Sequence, residues 1–438
     1  FITFLLLVFL FCGKCFASNP RFSSREGAPF CLNPIFRVLF RDFVALSVFI
    51  LIDGTSMKRP FLLPYTIILF CFCQCGWNMK NQTLNEQAKI KEYLRAEIKN
   101  NKFPAIQYVV VSDSEIFQFN EGLSNVSENT QITNDTTMMI YSMTKTITAI
   151  SILQLVEQGK LFLDDSAIQY IPEIPYGKEV TIRRLLSQTS GIPNPIPLRW
   201  VHLREEHTKF DEQSSLQSVL SEYPELEFKP GQKYRYSNIS YWLLGRIVAK
   251  VSGLSFEDYV RKNVFQRLNL KEQEANFIIP DSSKHAKGYL PKWSIFDILK
   301  SFLVDKKFIG PYEKGWLLIN DHYMNGPSFG GMICSAYAFG LILQDLLKDH
   351  SKLLGANGKK LLFEQQRNLV NKPVEMTLGL HIGSQNKKEY YFKEGGGAGF
   401  HSEMRIYPKE KIGTVLIVNN GASNADSLMN TLDNVFLK

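Results

Sequence analysis

Ser142-Met143-Thr144-Lys145 sets a hydroxyl and an amine three residues apart at the head of a long apolar run. From Thr146 to Gln158 the chain carries Ile147, Ile150, Ile152, Leu153, Leu155 and Val156 at helical spacing, and Gly159 stands where a helix would stop. Residues three apart share one helix face. A lysine held in that setting loses hydration, which disfavours the ammonium and lowers its pKa toward the range where the amine accepts a proton. Serine beside a neutral amine is an activated nucleophile. The same string recurs at Ser384-Gln385-Asn386-Lys387, inside the polar stretch from Gly383 to Glu389, which reads as a turn with no helix behind it. The bland reading of the Ser142 string is a helix cap followed by a solvated lysine, so its weight depends on what else the chain supplies.

Two further elements could serve the same chemistry. Tyr236-Ser237-Asn238 precedes an apolar helical run, Ile239 to Val251, that ends at Gly253. A tyrosine there can pass a proton between Ser142 and a leaving group, and Asn238 can hydrogen-bond both Lys145 and a substrate amide. The competing reading makes Tyr236 an ordinary half-buried aromatic. Tyr323-Met324-Asn325 has the same form, but glycine and proline follow it and no helix does. Farther on, Lys393-Glu394-Gly395-Gly396-Gly397 ends a strand-like run. A strand edge built from glycines lets a substrate carbonyl approach the backbone, so that its N–H groups donate to developing oxyanion charge. A glycine-rich hairpin with an exposed lysine is the plainer alternative.

Taken in this order, the three elements resemble the serine β-lactamase and penicillin-binding-protein superfamily, and most closely the branch of class C β-lactamases, D-alanyl-D-alanine carboxypeptidases and related esterases. Neighbouring class A enzymes pair S-x-x-K with a K-T-G element; here the second element is Y-x-N, as in class C. Three supporting strings also look like that branch: Gly159-Lys160-Leu161-Phe162-Leu163-Asp164-Asp165, Leu185-Leu186-Ser187-Gln188-Thr189-Ser190-Gly191, and Gly330-Gly331-Met332. The resemblance runs from about Phe103 to Asn419. It implies that Ser142 attacks an acyl carbonyl, that Lys145 and Tyr236 manage its proton, and that Asn238 orients Lys145 and substrate. Lys393 takes the third motif's lysine position, with Gly395 beside it, and the oxyanion hole is the backbone N–H groups of Ser142 and Gly396. Neither metal nor organic cofactor is implied. Where the family's β-lactamases have a hydroxyl after that lysine, this chain has Glu394, which would repel an anionic substrate if it faced the pocket. The expected substrate is therefore an ester, amide or peptide rather than a β-lactam. An acylatable protein that senses its ligand without turning it over is the alternative.

The surrounding elements predict how these residues are positioned. Leu84 to Ile98 reads as an amphipathic helix, and Ala105 to Phe119 as two strands broken near Ser112-Asp113-Ser114. Between about 160 and 328, eleven prolines punctuate short helical patterns, which predicts a mainly helical insertion. Strands return at Thr377 to Ile382, Glu389 to Lys393, His401 to Tyr407 and Gly413 to Val418, and a helix from Ala425 to Phe436 closes the chain. Strands first, helices in the middle and strands last imply an α/β (α+β) fold: one antiparallel sheet, assembled from about 80–159 and 329–438, flanked by helices. The active site would lie between sheet and insertion.

The 438 residues, 45% hydrophobic and 21% charged, suit a globular protein with a large core. Of the formal charge of +8, residues 1–75 hold seven Lys and Arg against three Asp and Glu, leaving 43 against 39. That balance gives no reason to propose a nucleic-acid partner. The chain begins with Phe and has no methionine before Met57, so residues 1–56 read as upstream translation. Lys58-Arg59, the apolar run Phe61 to Phe72 and Cys73-Gln74-Cys75-Gly76 read as a signal peptide over 57–75. This predicts export to the periplasm or cell envelope. Lipidation at Cys71, Cys73 or Cys75 is the further option, although Gln74 departs from the small residue expected just before Cys75. A domain from 76 to 438 keeps only Cys334 and can form no internal disulfide.

Two other patterns compete. Gly326-Pro327-Ser328-Phe329-Gly330 matches G-x-S-x-G, with Asp345 and His381 following in the order of an α/β-hydrolase triad. That elbow needs a strand directly before it, and polar Asn320-Asp321-His322 intervenes. His202 and His207 are five apart, off the spacing of the H-E-x-x-H zinc helix, and predict a solvated helix.

Overall fold

An early and a late stretch of the chain meet in the middle of one sheet. In the computed structural model the described residues are 85–195, 200–303 and 305–437, all within the compact unit 79–438; the segments 1–56 and 57–75 lie outside them. Strands β1 (Ala105–Val111), β2 (Ile116–Asn125), β3 (Thr130–Gln131), β4 (His381–Gln385), β5 (Lys388–Gly396), β6 (His401–Tyr407) and β7 (Ile412–Val418) form an antiparallel sheet in the order β4-β5-β6-β7-β1-β2-β3. The join between the two stretches is the β7–β1 ladder, running from Ile106 opposite Val418 to Val111 opposite Gly413.

β1 is buried along its whole length because both faces of the sheet are covered. Ile106, Tyr108 and Val110 point into a cluster with Ile90 and Leu94 of α1 (85–99) and Leu428, Met429 and Leu432 of α5 (Ala425–Phe436). Ala105, Val109 and Val111 point the other way into the larger core, against α2 (Thr144–Glu157) and α4 (Ala336–Leu347). Alternation along the strand thus divides its residues between two helical layers. α2 is buried from Thr144 to Leu155 without an outward face. Some of its polar side chains find backbone partners instead, as Thr148 Oγ1 donates to Ser328 O (2.6 Å) and Gln154 Nε2 to Asn263 O and Leu353 O (3.0 and 3.1 Å), while Thr146 Oγ1 is buried without one.

The region between the sheet's two halves is mainly helical, as expected, but it also carries strands. Besides α3 (Asn238–Ser252) and shorter helices it contains a three-stranded antiparallel sheet, ordered Gly288–Pro291, Trp316–Ile319, Ile309–Glu313. Pro291 and Pro311 had marked these segments as breakers. Both lie on the two outer strands, where a missing N–H costs no ladder bond. The strand expected from Thr377 begins only at His381, because Thr377 N and Leu380 O close a tight turn (2.8 Å). Asn386 and Lys387, both with positive φ, make the two-residue turn between β4 and β5.

On the α5 side of the sheet, Arg405 is buried among carboxylates. It bonds Glu403 (2.6 Å) and Asp426 (2.8 Å) and lies 3.6 Å from Asp433, which also accepts from Tyr108 and Tyr407 (2.8 Å each). Burial raises Asp433 above the usual carboxylate range, with Arg405 opposing. Burial likewise pushes Glu403 up to about 7, again against Arg405. Replacing Arg405 with methionine should destabilise the fold by about 3–5 kcal/mol at alkaline pH, because Glu403 and Asp433 are left buried and uncompensated. A carboxylate raised on folding contributes stability that is complete below its unfolded pKa and is lost as pH rises through about 7. The variant's deficit should therefore shrink on acidification; urea unfolding that gives the same deficit at acid and alkaline pH would contradict this account.

Candidate active site

The nucleophile candidate sits where the sheet's edge meets the buried helix. Tyr141–Met143 form a single 3₁₀ turn leading into α2, and Tyr141 is held at φ +43°. A non-glycine residue there is strained by about 1–3 kcal/mol and persists only where its surroundings fix it. Here the Tyr141 hydroxyl donates to Ala398 O (2.5 Å) and meets His322 Nε2 (3.3 Å). Gly395 of β5 packs on this turn so closely that a Cβ would lie 2.0 Å from Ile140 O and 2.9 Å from Ser142 N. Only glycine fits at that crossing.

Lys145 is fully buried, and its Nζ lies 2.9 Å from Ser142 Oγ, 2.7 Å from Asn238 Oδ1 and 2.7 Å from Phe329 O. The Tyr236 hydroxyl donates to Ser142 Oγ at 2.7 Å. Burial lowers Lys145 well below the usual lysine range, and the charge of Lys393 lowers it further. Among the described residues neither lysine has an ion-pair partner. Both instead stand over the Tyr236 ring, Lys145 at 4.9 Å and Lys393 at 5.0 Å from its centre. Burial pushes the Tyr236 phenol up, against the bond to Ser142, so it keeps its proton while the amine can lose one.

The supporting strings carry the positioning. Gln188 Oε1 accepts from Ser237 N (2.7 Å), and Gln188 O accepts from Arg235 N (2.8 Å), which fixes the residues on both sides of Tyr236. Ser237 caps α3 by accepting from Ser240 N, and Asn194 Oδ1 accepts from Asn238 N (3.0 Å). The turn Pro327–Gly330 is clamped to α2 through Thr148 and Lys145, and Met332 N donates to Thr144 Oγ1 (3.1 Å). The run from Gly159 ends in Asp165, which accepts from Phe162 N (2.7 Å) and so closes the turn after α2.

β5 extends past β4, whose last partner is the His381–Phe392 pair, so residues 393–396 have no strand neighbour on that side among the described residues. Gly397 N donates inward to Phe400 O. Strand amides alternate in direction, which turns the Gly396 N–H to the open edge, where a Cβ at Gly396 would meet nothing within 4 Å. Lys393 and Gly395 face the α2 side. Glu394 faces the other, where His401 Nε2 lies 2.6 Å from its carboxylate. That bond holds Glu394 below the usual carboxylate range. Burial works against His401, but its bond to Glu394 holds it above the usual histidine range. Glu394 therefore does not touch Lys393. Burial pushes Lys393 down to about 7, with the Glu394 charge opposing. A cavity of about 410 Å³ lined by Asn194, Tyr234, Arg235 and Tyr236 opens beside the site, large enough for a small ligand.

All seven residues singled out in the sequence lie on this one arrangement, and the competing patterns do not assemble the sites they suggest. Ser328 is buried with its hydroxyl on Tyr241 O (2.9 Å), and Asp345 accepts from the amides of Lys352 and Leu353 (2.9 and 3.1 Å), so no triad exists. Tyr323 uses its hydroxyl to take Ile279 N (3.1 Å). His202 is on a strand, Val201–Leu203, rather than a solvated helix; its ring is stacked on that of His207 and bonded to Asn325 (2.9 Å). No group of three or more His, Cys, Asp or Glu fit to hold a metal occurs among the described residues. Sequence reasoning missed two neighbours of the site. Tyr141 gave no signal, since strain is not written in residue type. His381 had been placed in the rival triad, yet its Nε2 lies 3.2 Å from Lys393 Nζ. Burial, then the charges of Lys393 and Lys145, push that imidazole down to about 2, so it stays neutral and can accept from the ammonium.

This combination of sheet, buried lysine and open glycine edge defines a β-lactamase-fold serine hydrolase. The chain belongs to the beta-lactamase family, whose model matches residues 89–435. It is 24% identical over 286 residues to Protein flp of Staphylococcus aureus strain N315, covering 59% of this chain and 56% of that protein. To penicillin-binding protein 4* of Bacillus subtilis strain 168 it is 28% identical over 179 residues, 40% of this chain and 39% of that one. The chain thus spans about half the length, or less, of these curated relatives. The octameric penicillin-binding protein homologue from Pyrococcus abyssi has a similar fold, with a TM-score of 0.65 and 22% identity over 80% of this chain and 77% of that one.

If the Lys145 amine is the base, acylation should fall on the acid side as the amine is protonated, with a midpoint well below the usual lysine range. Lys145→Ala should slow acylation by about 10³-fold and Tyr236→Phe by about 10²-fold. Stopped-flow bursts with an activated ester across pH measure both; an acid limb near 10, or a Lys145→Ala burst at the parental rate, would remove the amine from the mechanism.

Proposed function

We propose that this chain is an exported serine hydrolase that cleaves an ester, amide or peptide through an acyl-enzyme on Ser142. The observation that carries the reading is the contact of 2.9 Å between Ser142 Oγ and a buried amine that has no carboxylate to keep it charged. As the Oγ–carbon bond forms, the hydroxyl proton passes to Lys145. The N–H groups of Ser142 and Gly396 receive the oxyanion, and α2 adds the positive end of its dipole. When the carbon–leaving group bond breaks, the proton returns to the leaving atom by way of Tyr236. Water then attacks the acyl carbon and frees Ser142. Asn238 holds Lys145 in place and offers its amide to the substrate.

The preference for a neutral substrate rests on the third element. A substrate carboxylate needs a full cation and a hydroxyl donor. Lys393, with a pKa near 7 and His381 beside it, is only partly charged at neutral pH, and Glu394 replaces the hydroxyl. Export to the periplasm or cell envelope follows from the leader-like pattern of residues 57–75, with a lipidated cysteine as the further possibility for membrane attachment.

A short-chain aryl ester should be turned over continuously and faster than a chromogenic cephalosporin. Ser142→Ala should abolish that turnover, whereas Ser328→Ala should leave an active enzyme. Faster cephalosporin hydrolysis would overturn the substrate preference, and a stoichiometric burst without steady turnover would identify a sensor instead.

A further inference from the structure

The segment between the outer strands Gly288–Pro291 and Ile309–Glu313 carries a helix turned inside out. In Ile295–Leu303 the residues spaced as a helical stripe, Ile295, Ile298 and Leu299, are exposed, at 63, 60 and 39%, together with Phe296 and the adjoining Trp293 at 76%. Among the helix residues whose side chains are described, 295–300, the buried position belongs to a carboxylate. Asp297, 3% exposed, accepts from Trp293 N (2.8 Å), Lys300 Nζ (2.6 Å) and Tyr312 OH (2.7 Å). An amphipathic helix on a water-soluble surface does the reverse. The polar anchor fixes the apolar stripe outward, and Trp293, at φ +67°, accepts backbone strain in the same conformation. Such a patch marks a surface that is covered in use.

We propose that this face docks on an anionic lipid surface. Its chemistry is layered for an interface: Ile295, Phe296, Ile298 and Leu299 form the apolar centre, and Trp293 and Tyr312 stand at its border. Lys292 rests 5.3 Å from the Trp293 ring centre and 5.5 Å from that of Tyr312, and Lys300 lies 5.1 Å from Tyr312. From 288 to 316 the chain has five lysines, 292, 300, 306, 307 and 314, of which Lys300 pairs with the buried Asp297 and Lys307 with Glu206, against two further carboxylates, Asp305 and Glu313. Aromatic residues and lysines around an aliphatic centre suit the boundary between headgroups and acyl chains. A second copy of the chain suits it poorly, since a twofold contact through this patch would set the same lysines against each other. The docked segment also reaches the site through one cluster. Ile309, Leu290 and Ile319 pack with Ala398, whose carbonyl takes the Tyr141 hydroxyl.

The test uses the full chain with phosphatidylcholine vesicles, with and without phosphatidylglycerol. Because apolar residues near the N-terminus could also bind lipid, the reporter is Trp293 itself, read as the emission lost in Trp293→Phe. That emission should shift to the blue on the anionic vesicles and be quenched by brominated acyl chains. An Ile295→Ser, Ile298→Ser, Leu299→Ser variant should keep ester turnover in solution and lose vesicle partitioning by at least about tenfold. Trp293 emission that ignores vesicles, or a triple variant that binds as the parent does, would overturn the proposal. So would a vesicle-independent drop in molar mass in the triple variant, since that would show the patch to be covered by a second copy.

Discussion

The structure is organised around a lysine amine that has been denied both water and a counter-ion. A neutral amine has two N–H groups and one lone pair. Two of the three partners of Lys145, Asn238 Oδ1 and the Phe329 carbonyl, can only accept. They take the two N–H groups and leave the lone pair directed at the third partner, Ser142 Oγ. The Tyr236 hydroxyl donates to the same oxygen from another side, so the serine proton has one place to go. Basicity alone would not give this direction; it comes from two acceptors held by separate parts of the fold.

Holding those acceptors explains much of the architecture. Phe329 lies in a turn clamped to α2 at Thr144, Lys145 and Thr148, and Asn238 begins a helix whose entry is fixed by Gln188 and Asn194. The strings that looked like family signatures are therefore braces for the amine and the phenol. Ser328, which imitated a nucleophile, braces Tyr241 from the interior. Burying α2 on all sides keeps the amine dry, and Thr148, Ser151 and Gln154 donate to backbone carbonyls because no face is left for solvent.

The sheet's assembly from two separate stretches of the chain was legible because its strands read as short runs rich in β-branched, aromatic and other apolar residues whose breaks fell at turns. The three elements of the candidate site were legible because each had a local setting, helix or strand edge, that agreed with the chemistry expected of it. What escaped was set by tertiary context. Pro291 and Pro311 read as breakers and lie on edge strands instead. The strain at Tyr141 depends on a carbonyl at residue 398. His381 offered itself to a triad by chain order, while its actual neighbour is Lys393, twelve residues on across a hairpin. The apolar spacing of Ile295, Ile298 and Leu299 announces a helix face but cannot say whether that face turns in or out.

Electrostatics on the two faces of β5 close the argument. Lys393 and Gly395 point to α2, with Lys145 and neutral His381. Glu394 and its strand-paired neighbour Glu403 point to α5, where His401, Arg405, Asp426 and Asp433 form a separate charged layer. A carboxylate beside Lys145 would restore its ammonium and rule out the role of base proposed for it. Strand alternation prevents that contact at the cost of one constraint: register. A slip of one residue would exchange Lys393 for Glu394 and put a side chain where Gly395 meets the Ser142 turn. The ladder from Tyr391 opposite Ile406 to Gly396 opposite His401 fixes that register, and the ion network under it holds β6 to α5. The charges remote from the chemistry thus help keep the reactive amine without a counter-ion.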